Sequence, residues 1–214
     1  AVTLCVAVLG SASTPAFSQG LAGSYLAATR AFNAGSFDTA SHYYVKAMAA
    51  DPTNELLKRR ALVSFITSGD FTSAAGIANV MNSGGLSDVF VKLVLMTDLA
   101  SKADFEAAID FLPEGPDQLS PMLWHLLHAW MLVGSGDAEA GLTEFDTMSE
   151  TETIALFGQY HNGIAQALLG NYEAAAEILD GDENGPLHLN RDSIVVHVEI
   201  LSELGRNDDA LAVL

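Results

Sequence analysis

A short sequence pattern recurs six times along the 214-residue chain and constrains its fold more than any other feature. Each copy has Gly or another small residue, often Asp or Asn, usually an aromatic residue, two further residues and a small residue. The copies are GSFDTA (35–40), GDFTSA (69–74), ADFEAA (103–108), GDAEAG (136–141), GNYEAA (170–175) and GRNDDA (205–210). Their closing small residues are 34, 34, 33, 34 and 35 residues apart. This regular spacing predicts about six copies of one supersecondary unit.

Each copy is predicted to mark a tight turn between two helices. Gly suits such a turn, and the Asp or Asn that often follows can satisfy free N–H groups where the second helix starts. The aromatic residue is expected to pack at the turn, and the closing small residue allows the two helices to approach closely. One helix pair cannot bury its apolar face alone, so neighbouring pairs are predicted to stack. The expected turn glycines are Gly35, Gly69, Gly136, Gly170 and Gly205, and the aromatic residues are Phe37, Phe71, Phe105 and Tyr172.

The units resemble the tetratricopeptide repeat, a 34-residue helix–turn–helix motif. The first unit carries the consensus residues Ala40, Tyr44, Ala47 and Pro52, and the fifth carries Gly163, Tyr172, Ala175 and Leu179. The resemblance implies an all-α fold, a right-handed superhelix or solenoid of about six helix pairs over residues 19–214. Repeats are expected to start near residues 21, 55, 89, 122, 156 and 191 and to continue past residue 214.

The start of the chain is typical of an export signal. Residues 1–10 form a short apolar run, and small residues and a proline follow. This pattern predicts that residues 1–18 are a signal peptide, truncated at its start and cleaved before Gln19. The mature protein is then expected in the periplasm of a bacterial cell envelope. A retained anchor, a lipoprotein acylated at Cys5 and a buried N-terminal helix are the alternatives.

The segment 118–136 contains no Lys, Arg, Asp or Glu, and its 19 residues approach the length of a membrane span. In the register of the repeat, however, it is the first helix of the fourth unit together with its turn. A helix that is apolar all round is expected inside a stack of helices. We therefore predict a buried helix and no membrane span after removal of the signal.

The charge of the chain excludes some classes of partner. Acidic residues outnumber basic ones by 27 to 9, for a formal net charge of −18. Nucleic acid is not expected as a partner, because affinity for it comes mainly from Lys and Arg that neutralise phosphates. Residues 103–190 contain 16 acidic residues and no Lys or Arg. Such a stretch is typical of a solvated convex face; the alternative is electrostatic guidance of a basic partner or divalent cations.

The resemblance also implies where a partner would bind. In tetratricopeptide repeats the first helices line the concave face, and positions 2, 5, 9 and 12 commonly contact the ligand. Arg59 is the only basic residue at these positions, so a clamp for a C-terminal carboxylate is absent. The implied contact residues are Tyr25, Phe32, Arg59, Val63, Phe90, Leu93, Leu126, Trp130, Phe157 and Tyr160.

This face is mostly apolar and aromatic, which favours a non-catalytic scaffold or adaptor that binds an apolar or amphipathic segment of a protein or peptide partner. Two other interpretations remain: part of the set belongs to the core between repeats, or the face is covered by self-association or by the chain's own continuation. The alternative function is a structural spacer or dimerisation module of a larger envelope protein whose activity lies C-terminal to this fragment.

No pattern predicts an enzyme, a cofactor or a metal site. Asp180–Gly185 matches the start of a calcium loop, but Arg191 stands where a bidentate Glu is required; an acidic loop is favoured over weak calcium binding. His125 and His128 are three residues apart on one helix and are expected to be packed and hydrogen-bonded. The chain has no H-E-x-x-H, G-x-S-x-G, S-x-x-K or phosphate-loop motif.

Overall fold

The computed structural model describes residues 17–180, 185–186 and 191–214, and within these residues all regular structure is helical. The prediction of an all-α chain is confirmed for this part. The predicted signal segment lies almost wholly outside the described residues, as do Cys5 and residues 181–184 of the acidic loop. Two compact units are present, Ala1–Gly85 and Leu86–Leu214, which we call unit one and unit two.

The described part of unit one, from residue 17 onward, forms four helices, each packed against its neighbour in sequence. Its core combines alanines with larger side chains, among them Leu62, Met81 and Tyr44. Tyr44 is fully buried and lies edge-on to Tyr25 with ring centroids 6.2 Å apart. Alanines such as Ala28 and Ala61 are also fully buried, so helix axes approach closely around the tyrosine. The helices are α1 (Phe17–Asn33), α2 (Phe37–Ala50), α3 (Glu55–Ser68) and α4 (Phe71–Ser83).

Unit two repeats this consecutive packing, from α5 against α6 to α11 against α12. Large buried side chains, among them Phe145, Met148, Leu179 and Leu201, fill its core. The helices are α5 (Val89–Ser101), α6 (Phe105–Ile109), α7 (Pro121–Ser135), α8 (Ala138–Ser149), α9 (Ala155–Leu168), α10 (Tyr172–Asp180), α11 (Arg191–Glu203) and α12 (Asn207–Val213), and a 3₁₀ helix, Pro116–Gln118, precedes α7.

The predicted turns join the helices in pairs. All five turn glycines have positive φ, from 71° at Gly205 to 96° at Gly136, a region that glycine enters without the steric cost other residues meet. The third turn has Ala103 at the equivalent position, with φ of 59°. Of the described residues, Ala103 is the only non-glycine with positive φ. The glycine turns are therefore confirmed, and one alanine adopts the same backbone conformation.

The closing small residues bring paired helices into contact. Ala40, Ala74, Ala108 and Ala175 are completely buried. At the equivalent Gly141, an added Cβ would lie 2.9 Å from the carbonyl oxygen of Ala129. The small residue is thus required because the facing backbone leaves no room for a larger side chain.

Two features differ from the regular pattern. Phe71, expected to pack at its turn, is 60% exposed. The equivalent Phe37 lies edge-on to Phe32, whereas the position that corresponds to Phe32 in the second repeat is Ile66, which offers no ring. In the third repeat the second helix, α6, ends after five residues. Pro113 explains this, because proline lacks an N–H and disfavours helical backbone in the preceding residue.

The segment 118–136 forms the end of the 3₁₀ helix and α7. Of α7 only Ala129 and Met131 are buried, and Leu123 is exposed, so the prediction of a buried helix is wrong for most of its residues. Among the helices that the structure describes, none has both the length and the apolar character needed to cross a membrane.

Candidate protein-interaction face

The first helix of each pair (α1, α3, α5, α7, α9 and α11) has buried and accessible residues at different repeat positions. We call residues at positions 2, 5, 9 and 12 of each repeat the first-helix face, and we consider it helix by helix. None of these residues is buried. In α3, for example, Leu57, Ala61, Leu62 and Ser64 are buried, while the face residues Leu56, Arg59, Val63 and Ile66 all remain accessible.

The predicted contact residues are all at least partly accessible. Arg59 and Phe90 are exposed, and Tyr25, Phe32, Val63, Leu93, Leu126, Trp130, Phe157 and Tyr160 are partly exposed. In unit one, Tyr25 and Phe32 pack against the same core cluster. In unit two, Leu126, Trp130 and Phe157 pack against another, around Phe145. Many of these side chains therefore contribute to the core with one side and are accessible on the other.

Trp130 has a larger structural role than its repeat position predicts. Its indole N–H donates a hydrogen bond to Nδ1 of His161, at 3.1 Å, and its ring lies edge-on to the fully buried Phe145. Because the indole N–H can only donate, Nδ1 of His161 must be the unprotonated nitrogen. Burial lowers the pKa of His161, which favours this neutral form. Trp130 thus fixes α7 against α9 besides lying on the first-helix face.

A second polar cluster lies between α7 and α8. Glu144 of α8 accepts a hydrogen bond from Nδ1 of His125, and its other oxygen lies 3.4 Å from Nδ1 of His128. Trp124 lies edge-on to the imidazole of His125 and tilted against that of His128, and it donates its indole N–H to the carbonyl of Pro113, at 2.7 Å. Both histidines are packed as expected, and the hydrogen bond of His125 is confirmed. For His128 the expectation of a hydrogen bond is wrong, because its buried Nδ1 has no hydrogen-bond partner among the described residues.

Sequence reasoning missed Glu144, because it is 19 residues from His125 and comes from the next helix. It also missed the hydrogen bond by which Trp124 contacts the carbonyl of Pro113, in the loop after α6. In the ranges that the structure describes, no group of three or more His, Cys, Asp or Glu side chains is arranged to hold a metal ion. The geometry of this cluster is that of a link between helices.

An open groove in unit two runs between α9 and α11, beside the start of α10. Its volume is about 630 Å³. Apolar residues such as Ile164, Ala167 and Val196 line it, together with the carboxylates of Glu199 and Glu203. The residues at positions 9 and 12 of both helices belong to the first-helix face, and they also line this groove. The groove therefore combines an apolar surface with negative charge.

The charge of the two units is very different. Residues 1–85 contain 5 basic and 4 acidic residues, whereas residues 86–214 contain 4 basic and 23 acidic residues. On the first-helix face of unit two, Asp192 lies near Tyr160. There burial, and secondarily the nearby Asp192 carboxylate, raises the pKa of the phenol.

Neither a family model nor a curated protein matches the chain. The fold and the accessible face define an all-α protein in which consecutive helices pack pairwise within each of two units.

Proposed function

We propose that the protein is a non-catalytic scaffold of the tetratricopeptide type that binds an apolar or amphipathic segment of a protein partner on its first helices. One observation carries the proposal: the first-helix face is largely apolar or aromatic, yet none of its residues is buried. Side chains that served only the core would be enclosed like Leu57 or Ala61, both on the same type of helix. An exported protein in a bacterial envelope is the setting that the start of the sequence supports.

The energetic basis is the burial of partly exposed side chains. Phe90 is 40% exposed and Leu123 is 38% exposed. Complete burial of such a side chain is worth roughly 1.5–3 kcal/mol, so covering the exposed part of each contributes about 1 kcal/mol. Contacts of this size add up along the face, and a complex forms where their sum exceeds the cost of lost translational and rotational freedom and of ordering the partner.

The test uses exposed residues, because Trp130 is too deeply involved in folding to report on binding alone. The tagged full chain is crosslinked in the cells that produce it, and bound proteins are quantified by mass spectrometry. The double variant Phe90→Ser/Leu123→Ser alters the first-helix face. The matched control Val80→Ser/Leu211→Ser alters two exposed apolar residues on second helices.

We expect both double variants to keep the circular dichroism of the unaltered protein. The amount of crosslinked partner is expected to fall tenfold or more with the first-helix variant, because about 2 kcal/mol of contact energy is lost. The control variant is expected to retain the partner. Recovery of equal amounts of the partner with the two variants would contradict the proposal. If the only crosslinked product is a second copy of this chain, the dimerisation module becomes the better interpretation.

A further inference from the structure

The groove between α9 and α11 combines exposed apolar surface with unpaired carboxylates. Leu168, at its edge, is 71% exposed and is therefore available to a surface that covers the groove. Glu199 and Glu203 line the same groove, and within the part of the chain that the structure describes neither has an ion-pair partner. Covering the apolar surface would therefore also remove water from these two charges.

This arrangement selects the chemistry of the occupant. A purely apolar segment would leave the two carboxylates partly desolvated without compensation, which is unfavourable. Lys or Arg side chains beside the apolar contacts would satisfy them. The surrounding unit has 23 acidic and 4 basic residues, so it would also accelerate the approach of a cationic partner and repel an acidic one.

The shape favours a helix over an extended strand. Every residue that lines the groove lies on a helix, so there is no free sheet edge to which a strand could hydrogen-bond. A helix satisfies its own backbone hydrogen bonds and offers apolar side chains at positions i, i+3, i+4 and i+7 along one face.

We propose that this groove binds a cationic amphipathic helix of a protein partner. Its apolar face contacts Leu168, Ile164 and Val196, and flanking Lys or Arg side chains pair with Glu199 and Glu203. The proposal rests on the proposed scaffold function and specifies the chemistry of the partner.

The probes for the test are three fluorescent peptides of about 18 residues, long enough to form a helix. The first has leucines at i, i+3, i+4 and i+7 flanked by lysines; the second replaces the lysines by glutamates; the third has the composition of the first in scrambled order. Their dissociation constants for the full chain are measured by fluorescence anisotropy at low and high salt.

Four variants of the protein locate the binding site. Leu168→Ser removes the exposed leucine of the groove, and its control is Leu211→Ser, because Leu211 is 70% exposed on α12. Glu199→Gln/Glu203→Gln removes the two charges, and its control is Glu139→Gln/Glu150→Gln, two exposed glutamates at α8.

We expect only the lysine-flanked amphipathic peptide to bind well, and more weakly at high salt. Leu168→Ser should weaken its binding about tenfold, and the double glutamine variant about fivefold. Each control should change the dissociation constant by less than about twofold.

The contrary outcomes separate this proposal from the scaffold function. Equal binding of the glutamate-flanked peptide overturns the cationic partner but leaves the scaffold function standing. If the scrambled peptide binds equally well and Leu168→Ser does not affect its binding, the peptides bind through charge alone and the groove proposal is wrong. A third contrary outcome is that Phe90→Ser/Leu123→Ser weakens peptide binding whereas Leu168→Ser has no effect. This result would overturn the groove proposal and support the scaffold function. If no peptide binds, the groove proposal is wrong, and the crosslinking test decides the scaffold function separately.

Discussion

Replacing Ala103 by glycine should stabilise unit two. Ala103 occupies the turn between α5 and α6 with φ of 59°, where the other repeats have glycine. Its N–H bonds to the carbonyl of Ala100, and the N–H of Asp104 reaches back to the carbonyl of Leu99. These bonds satisfy the last carbonyls of α5 and require the left-handed conformation at Ala103.

The magnitude follows from two opposing effects. A residue with a Cβ pays roughly 1–2 kcal/mol in the left-handed helical region. Glycine increases the entropy of the unfolded chain, which costs about 0.4–1 kcal/mol. Ala103 is exposed, so losing its methyl group sacrifices little buried surface. The net expectation for Ala103→Gly is a gain of about 0.5–1 kcal/mol in the free energy of unfolding, or about 1–4 °C in Tm.

Urea unfolding followed by tryptophan fluorescence measures this gain, because both tryptophans, Trp124 and Trp130, lie in unit two. The reverse change, Gly136→Ala, should destabilise by a similar amount, since φ is 96° and no atom lies within 4 Å of the added Cβ. As a control, Ala174→Gly inside α10 should destabilise by about 1 kcal/mol, the ordinary cost of glycine in a helix. If Ala103→Gly destabilises as Ala174→Gly does, the reasoning about equivalent turns is wrong.

Three further predictions concern packing and charge. Gly141→Ala should destabilise unit two by about 1–3 kcal/mol in the same unfolding assay, because its Cβ would collide with the carbonyl of Ala129; an unchanged midpoint would refute the close contact. Asp192→Asn should lower the raised pKa of Tyr160 in an ultraviolet titration, and no change would leave burial as the sole cause. The stability of unit two should fall as pH drops below about 6.5, because the pKa of His161 is lowered in the folded state and the unfolded state then binds the proton first. His161→Gln should reduce this dependence and leave the part due to His197, whose pKa is also lowered by burial; a slope identical to that of the unaltered protein would contradict the role of His161.

The spacing of short local signals was sufficient to predict the helical pairs. A turn is encoded by a few adjacent residues, and six similar turns about 34 residues apart leave little freedom for another secondary structure. The truncation of α6 has a local signal, Pro113, which the spacing of the repeats does not take into account. The exposure of Phe71 depends on which residue occupies the end of the preceding helix, Ile66 in place of an aromatic ring, and the recurring turn pattern does not include that position.

The polar contacts between helices could not be predicted in the same way. Glu144 meets His125 and His128 across two helices, and Asn162 donates to Asp146 at 2.7 Å, 16 residues away. Such pairs depend on the rotation and offset of neighbouring helices, which a repeat pattern fixes only approximately. The groove beside Leu168 likewise depends on how far α9 and α11 separate.

The central claim is that the first helices carry the binding surface. The most direct measurement places a photoreactive phenylalanine analogue, one position at a time, along the exposed apolar residues of both helix types. Positions 90, 123 and 195 sample first helices, and positions 80 and 211 sample second helices. We predict adducts with a partner protein from the first three positions and none from the other two. Equal yields at all five positions, or adducts confined to 80 and 211, would contradict the account.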